Sequence, residues 1–241
     1  MQSVVEEVHA PVVICLCFEA LSEWHLGEIA SCKAASRDAI SLAKELNDMP
    51  ALAHALYLSA MLGQYDDNRA EVERLASDLI ELSTRQDFAF FLPIGEMLRG
   101  WVLSVSGSTA EGIAGIDDGM RRYQGTGSMV LMPYWLAVKA KALHLAERTS
   151  EALEAIKEAE SLVERSGERW WYAELHRLRA VFLAAMGVDE VQIEASFCEA
   201  IRIAKGQKSV SLAKRAEATC AEYRRQKASG SGGRGFRLPL C

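Results

Sequence analysis

One helical pattern recurs about every 40 residues along this chain. Its marker is an acidic residue, found at Asp38, Asp78, Asp118, Glu158 and Glu199. The residue that follows is small in four of the five copies (Ala39, Gly119, Ala159 and Ala200, against Leu79), and an apolar residue stands three positions later in four of them. Small and apolar residues three apart lie on one helical face, where a small side chain lets a neighbouring helix approach closely.

Turn-forming residues keep the same interval. They fall at Gly27, Asp67, Gly107, Glu147 and Gly187. Glycine, present in three of the five places, suits the left-handed residue that ends many helices. Thr109, Thr149 and Asp189 stand where the next helix should begin and can cap it. Each unit is therefore predicted to be a helix, a short turn, a second helix and a second turn.

The repeat predicts an all-α fold. A helix pair of this size cannot bury its apolar face alone, so neighbouring pairs stack. We expect a right-handed, tetratricopeptide-like α-solenoid of about five helix pairs, closed by a capping helix from roughly 209 to 226. The predicted organisation is an N-terminal extension (1–11), the helical-repeat domain (12–227) and a flexible, basic, glycine-rich tail (228–241).

Composition places the chain among globular proteins. Half of its 241 residues are hydrophobic, a quarter are charged and the net charge is −6. The longest apolar run near the start, APVVICLCFEAL, is too short to span a bilayer, and Glu6 and Glu7 stand where a secretory signal would carry positive charge. We predict a cytoplasmic protein with no membrane association.

Two stretches resemble a known group of helical repeats. They are LRGWVLSVSGSTAEGIAGIDDGMRRYQGTG and SGERWWYAELHRLRAVFLAAMG. The chain from about Val12 onward resembles the tetratricopeptide-like region at the C-terminus of bacterial class III adenylate or guanylate cyclase–ATPase fusions and of LuxR-type regulators. The resemblance implies an interaction or regulatory region, and it implies no cyclase activity because nothing in the chain resembles a cyclase core.

A reaction centre is not apparent in the sequence. The chain has no GxxxxGK[ST] phosphate loop, and its five histidines form no HExxH pair. The spacing of Cys15, Cys17, His25 and Cys32 matches no established zinc pattern, so the cysteines are interpreted as free buried thiols. We predict no enzyme activity, no cofactor and no metal.

Aromatic residues supply the candidate binding site. They cluster near the start of the first helix of a unit, as in the segment RWWY at 169–172. Exposed aromatics are effective anchors for a protein partner. The predicted partner-binding residues of an aromatic-lined groove are Trp135, Trp171, Tyr172, His176 and Arg179, although such aromatics can also serve simply as core filler.

The sequence favours a non-catalytic scaffold that binds a protein partner or a neighbouring domain of a larger signalling protein. Two alternatives stay open. The same groove could hold a small molecule as a sensor. Residues 202–241, which contain ten basic and two acidic side chains, could bind nucleic acid, although a basic cap docked on an acidic body is the preferred interpretation.

Overall fold

The structure is a computed structural model that describes residues 6–229 and 239, with side chains from residue 11 onward. Eleven α-helices and no strand occur in this part of the chain: α1 (Glu6–Leu26), α2 (Ile29–Glu45), α3 (Met49–Tyr65), α4 (Arg69–Gln86), α5 (Phe91–Val105), α6 (Thr109–Gly125), α7 (Met132–Leu145), α8 (Thr149–Ser166), α9 (Tyr172–Ala185), α10 (Glu190–Gly206) and α11 (Val210–Ala228). The predicted all-α class is confirmed.

The recurring pattern marks the even-numbered helices. These helices are amphipathic, and the residue after each acidic marker is buried in all five copies: Ala39, Leu79, Gly119, Ala159 and Ala200. Successive helices pack on one another in chain order, for example α3 on α4 and α9 on α10. The odd-numbered helices α3, α7 and α9 are instead buried over most of their length. This fits the almost uniformly apolar sequence of α3, whereas α7 and α9 also carry charged side chains.

Left-handed residues end the helices at a regular interval. Positive φ angles occur at Gly27, Asn47, Asp67, Asp87, Gly107, Gly127, Glu147, Gly167, Gly187 and Lys208, so the interval is 20 residues throughout and 21 at the last step. The series predicted at Gly27 to Gly187 is confirmed, and the other turn of each unit follows the same rule. Helices α6 and α8 begin at Thr109 and Thr149, and the Asp189 side chain caps α10.

The chain divides into two compact units. Unit 1 comprises residues 1–102 and 115–128, and unit 2 comprises residues 103–114 and 129–241. In unit 1, Trp24 packs on Tyr65 at 4.8 Å between ring centroids and donates a hydrogen bond to Asp66. In unit 2, Phe197 packs on Tyr223 at 5.7 Å, which joins α10 to α11.

Two glycines permit close helix approach in unit 1. A Cβ atom on Gly119 would lie 2.5 Å from Cγ of Met97 and 3.0 Å from the carbonyl oxygen of Pro93. A Cβ atom on Gly95 would lie 2.7 Å from Cγ1 of Ile80. Helix α5 therefore sits against α4 and α6 at distances that only glycine allows.

The first and last helices of the described residues can be compared with the predicted domain boundaries. Helix α1 already begins at Glu6, within the predicted N-terminal extension. Helix α11 spans Val210–Ala228, close to the predicted capping helix, and the Ser209 side chain accepts a hydrogen bond from the amide of Leu212. Most of the predicted tail lies outside the described residues. No helix between residues 6 and 229 is both long and apolar enough to cross a membrane.

Candidate protein-binding surface

The tryptophans predicted to line a groove belong to the core of unit 2. Trp135 and Trp171 expose 0% and 2% of their surface. Both pack edge-on against Tyr134, at centroid distances of 4.8 and 5.6 Å. This burial corrects the sequence-based assignment at these two positions, because a side chain enclosed on all sides cannot contact a partner in the folded protein. The alternative of core filler describes them better.

The other three predicted residues lie together on one side of α9. Tyr172, His176 and Arg179 are partly exposed, and the rings of Tyr172 and His176 meet at 4.7 Å. Arg179 forms an ion pair of 3.1 Å with Glu160 of α8, and Nδ1 of His176 lies 3.9 Å from the same carboxylate. These side chains form an accessible polar cluster, which we call the α9 surface cluster (Glu160, Tyr172, His176 and Arg179).

Burial shifts the pKa values of His176 and Glu160 in the α9 surface cluster. The pKa of His176 is lowered, first by burial, although the charge of Glu199 acts in the opposite direction. The pKa of Glu160 is raised by burial, against the attraction and hydrogen bond of Arg179. At neutral pH the cluster therefore holds a neutral imidazole close to the Arg179–Glu160 contact.

A buried charged cluster occupies the opposite side of α9. The fully buried Arg177 donates from Nε and Nη2 to the carboxylate of Glu174, both at 2.8 Å. The same carboxylate lies 3.4 Å from Nζ of Lys141 on α7 and 3.6 Å from Nη1 of Arg215 on α11. Arg177 also donates to the hydroxyl of Thr219. We call this set the charged face (Lys141, Glu174, Arg177, Arg215 and Thr219).

The electrostatics of the charged face follow from its three cations and one carboxylate. Burial alone would raise the pKa of Glu174, but the charges of Arg177, Arg215 and Lys141 and the Arg177 hydrogen bonds outweigh it and lower the pKa to about 2. Glu174 is therefore ionised at neutral pH. Oxygen atoms of carboxylates and carbonyls are the acceptors for the N–H donors of guanidinium and ammonium groups.

A remote segment of the chain supplies one such oxygen. Nη1 of Arg177 donates a hydrogen bond of 2.9 Å to the main-chain carbonyl of Pro239, which is 62 residues further along the chain. A main-chain carbonyl is a group that every polypeptide carries, and arginine, with its five donors, can serve a carboxylate and a carbonyl at once. The charged face thus already binds one main-chain carbonyl.

Sequence reasoning missed the charged face. Charged residues on a helix are usually solvated, so Lys141, Glu174, Arg177 and Arg215 gave no signal individually. A signal was available in the spacing of Glu174 and Arg177, which are three apart and can pair on one side of α9. His176 and Arg179 lie on the other side of the helix, so α9 cannot expose both polar sides in a packed array, and burial with mutual pairing is possible for one of them.

Three ion pairs connect α10 and α11, and two of them join basic residues of α11 to acids of α10. Arg224 contacts Glu194 at 2.6 Å, Lys227 contacts Glu190, and Lys205 of α10 contacts Glu217 at 2.7 Å. These pairs support the docked-cap interpretation for the described part of the basic region. Arg234 and Arg237 lie outside the described residues.

A cleft of about 240 Å³ lies elsewhere, in unit 1, between α2, α3 and the start of α4. Ser36 and Ser59 share a hydrogen bond of 2.6 Å there, and Lys33 approaches Asp66 at 3.6 Å. Burial, followed by the charge of Asp66, raises the pKa of the neighbouring Cys32 to about 11. That thiol is therefore protonated at neutral pH and a poor nucleophile.

The structure also locates the cysteines and the side chains that could bind a metal ion. Cys17, Cys32 and Cys220 are free and buried, as predicted. Cys15 and Cys198 are also free but exposed, so the prediction of burial is wrong at these two positions, and Cys241 lies outside the described residues. Within the described part of the chain, no group of three or more histidine, cysteine, aspartate or glutamate side chains is placed to hold a metal ion.

Comparison with known proteins gives one relative to report. An uncharacterized protein of Rhizobium meliloti (strain 1021) is 26% identical over 197 residues, which are 82% of this chain and 19% of that protein. The chain thus spans about a fifth of the length of the relative that it matches. No protein-family model matches the chain.

Proposed function

We propose that this chain is a non-catalytic, tetratricopeptide-like solenoid scaffold that binds a polypeptide segment at the edge of the charged face of unit 2, where Arg215 keeps access to solvent. The observation that carries the proposal is the hydrogen bond from Arg177 of the same cluster to the main-chain carbonyl of Pro239. An arginine cluster that binds one main-chain carbonyl has the chemistry to bind another through its accessible member, Arg215.

The charge of the site defines the preferred partner. Lys141, Arg177 and Arg215 all lie within ion-pair distance of the Glu174 carboxylate. A segment that brings an aspartate or glutamate would form charge-assisted hydrogen bonds, which are stronger than those of a neutral carbonyl. The proposed partner is therefore an acidic segment, either of a separate protein or of a neighbouring domain in a longer protein of a bacterial signalling system in the cytoplasm.

The match to a much longer protein supports a neighbouring domain as the source of this acidic segment. A region that makes up 19% of a relative has neighbours in that relative against which it can dock. The α9 surface cluster, with its exposed Tyr172, His176 and Arg179, is the rival contact surface for the same scaffold function.

Affinity capture from lysate of the source organism tests the proposal. The intact chain would be compared with two variants, Arg215→Met on the charged face and Arg179→Met in the α9 surface cluster, each nuclease-treated and shown by circular dichroism to be folded. The Arg215 side chain is mostly buried yet retains some exposure, at 12%, so its loss should remove partner contact without abolishing the fold.

The expected result is a protein captured by the intact chain and by Arg179→Met and lost by Arg215→Met. Loss with Arg179→Met alone would move the binding surface to the α9 surface cluster. Equal capture by all three proteins would contradict both locations, and capture of nothing would contradict the scaffold function.

A further inference from the structure

We propose that the cleft of unit 1, between α2, α3 and the start of α4, binds a small molecule that carries one carboxylate group. The carboxylate would bind at Arg37 and Lys33 of α2, beside the serine pair Ser36 and Ser59. All of these residues belong to unit 1, whereas the charged face belongs to unit 2. The inference therefore goes beyond the proposed scaffold function and does not depend on it.

The size and lining of the cleft are the first argument. Its volume is about 240 Å³, which is below the roughly 300–1,000 Å³ of pockets that enclose drug-sized ligands. Its walls combine apolar groups, among them Leu62 and Gly63, with polar side chains from α2, α3 and α4. In small-molecule sites, apolar surface supplies contact area and a few polar groups fix the orientation of the ligand. The cleft thus suits a compact molecule with a short apolar body.

The distribution of ion pairs is the second argument. Asp66 lies 3.6 Å from Lys33, and Glu71 accepts a hydrogen bond of 2.7 Å from Arg74. The two carboxylates that line the cleft are therefore already paired with cations. Arg37, which lines the same cleft, forms no ion pair and no hydrogen bond with any residue that the structure describes. An anion is the ligand that this unpaired guanidinium favours.

The hydrogen-bonding groups of the cleft are the third argument. The hydroxyls of Ser36 and the buried Ser59 lie 2.6 Å apart, and this bond uses only one of their two protons. The side chain of Asn68 accepts a bond from the amide of Glu71 through Oδ1, so its NH₂ group retains its donors. Together with the guanidinium of Arg37, these groups offer N–H and O–H donors that the oxygen atoms of an anion can accept.

A carboxylate fits these groups better than a phosphate does. A guanidinium can bind a carboxylate through two parallel hydrogen bonds. Asp66 and Glu71 also line the cleft, and their charges would repel a second negative charge on the ligand. A ligand with a single negative charge is therefore preferred over a dianionic phosphate.

Titration of the full chain with sodium butanoate, followed by heteronuclear NMR at constant ionic strength, tests this inference. We expect saturable shifts of the amide signals of Cys32, Ser59 and Asn68, with a dissociation constant on the order of mM for so small a ligand. The indole N–H signal of Trp24 should shift as well, because it donates a hydrogen bond to Asp66 at the cleft. Butanamide has the same shape without the charge, and it should bind about ten-fold more weakly or less.

Arginine variants supply the matched control. Arg37→Gln removes the guanidinium from an exposed position and should weaken butanoate binding by about five-fold or more. Arg37→Lys keeps the charge but loses the planar donor fork, so an intermediate affinity is expected. Arg85→Gln removes an exposed arginine of α4 that does not line the cleft, and it should leave the affinity unchanged. The amide spectra of the three variants would show that they are folded.

Several outcomes would overturn the inference. The absence of saturable shifts with butanoate, or equally tight binding of butanamide, would show that the cleft does not recognise a carboxylate. Equal affinities of Arg37→Gln and Arg85→Gln would show that Arg37 does not bind the ligand. Tighter binding of inorganic phosphate than of butanoate would overturn the assignment of the ligand class. The proposed function fails on a different observation, the lack of any captured partner, so the two failures can be told apart.

Discussion

Two arginines on α9 show how position within a helix decides what a residue does. Arg177 is completely buried and holds Glu174 by two hydrogen bonds, whereas the side chain of Arg179, 37% exposed, pairs with Glu160. Two residues correspond to a rotation of about 200° around a helix, so the two guanidinium groups point to opposite sides. The same residue type therefore acts as a core component at one site and as a surface group at the other.

The arginine pair gives a stability prediction. Arg177→Met should lower the free energy of unfolding by about 3–5 kcal/mol, because it breaks a buried ion pair and leaves Glu174 to Lys141 and Arg215. Arg179→Met should lower it by about 1 kcal/mol or less, as for other solvent-accessible pairs. Urea denaturation followed by circular dichroism measures both. Similar values for the two variants would contradict the assignment of Arg177 to a buried cluster.

Trp135 gives a second residue-scale prediction. Trp135→Ala should cost about 3–5 kcal/mol, because it removes a large side chain with 0% exposure from the core of unit 2. The half-buried Trp170 is the control, since its ring keeps access to solvent and its replacement by alanine should cost clearly less. Chemical denaturation of both variants checks the order, and a smaller cost at Trp135 would make it a surface candidate again.

Burial explains why the aromatic residues were harder to assign than the helices. The sequence shows where Trp135 and Trp171 lie along a helix but not which neighbours cover them. Trp171, which directly precedes α9, packs on Tyr134 of α7, and the sequence does not show a contact between segments so far apart. The exposure of His176 and Arg179, the polar members of the predicted site, was easier to predict, because charged and polar groups tend to stay in contact with water.

At the scale of elements, left-handed residues end ten of the helices, yet five of those positions are not glycine. Glu147 is one of them, with φ of 61° and an exposed side chain. A Cβ atom in this conformation costs about 1–2 kcal/mol, which glycine avoids. The turns at Glu147 and Lys208 therefore retain removable backbone strain, whereas the asparagine and aspartates at the other three positions tolerate this conformation.

Replacing Glu147 by glycine should stabilise the protein. The expected gain is up to about 1 kcal/mol, since relief of the left-handed strain exceeds the added flexibility of the unfolded chain. Glu147→Ala keeps the Cβ atom and should change stability by less than about 0.5 kcal/mol. Denaturant midpoints of the two variants separate the conformational effect from loss of the carboxylate, and an equal gain in both would refute the strain argument.

The close spacing of α5 and α6 in unit 1 predicts a substitution that lowers stability, in contrast to Glu147→Gly. Gly119→Ala should destabilise the protein by about 1–3 kcal/mol, because the new methyl group would overlap Met97 and approach the Pro93 carbonyl. A methyl group added to Gly125, on the same helix, would meet no neighbouring atom within 4 Å. Gly125→Ala should therefore be neutral or slightly stabilising. Thermal unfolding of both proteins is the measurement, and a tolerated Gly119→Ala would mean that α5 and α6 separate easily.

At the scale of the whole molecule, buried titratable groups predict that acid weakens the fold. The pKa values of His54, His144 and His176 are lowered by burial. The unfolded chain therefore binds protons first as pH falls below about 6.5, and stability decreases there. The raised pKa of Glu160 acts in the opposite direction, since its folded form retains a proton more readily.

Below about pH 4.5, protonation of Glu174 should dominate the dependence of stability on pH. Its pKa is lowered from 4.5 to about 2, so its contribution is complete above pH 4.5 and is lost as pH falls toward 2. The loss should be on the order of 3 kcal/mol. Urea unfolding measured between pH 7 and pH 2.5 gives the slope. Glu174→Gln should flatten it below pH 4.5, and an unchanged slope would show that other carboxylates control acid unfolding.

The 40-residue repeat predicted the helical class, the order of helices and turns and the terminal helix, because those depend on local periodicity. The division into two units and the charged face depend on contacts between residues far apart in the chain, such as Arg177 with Thr219 and Pro239. Periodicity carries no information on those contacts, so they could not be predicted.

The regular interval of helix ends limits how the length of such a chain can change. Between Gly187 and Lys208 the interval is 21 rather than 20, and the additional residue lies in the turn: two residues separate Gly187 from α10, whereas one separates Glu147 from α8. Within both helices the acidic marker stays at the tenth position. An insertion inside a helix would rotate every later side chain by about 100° and carry its apolar face into water. Insertions and deletions should therefore be tolerated in the turns, or as whole helix pairs of about 40 residues.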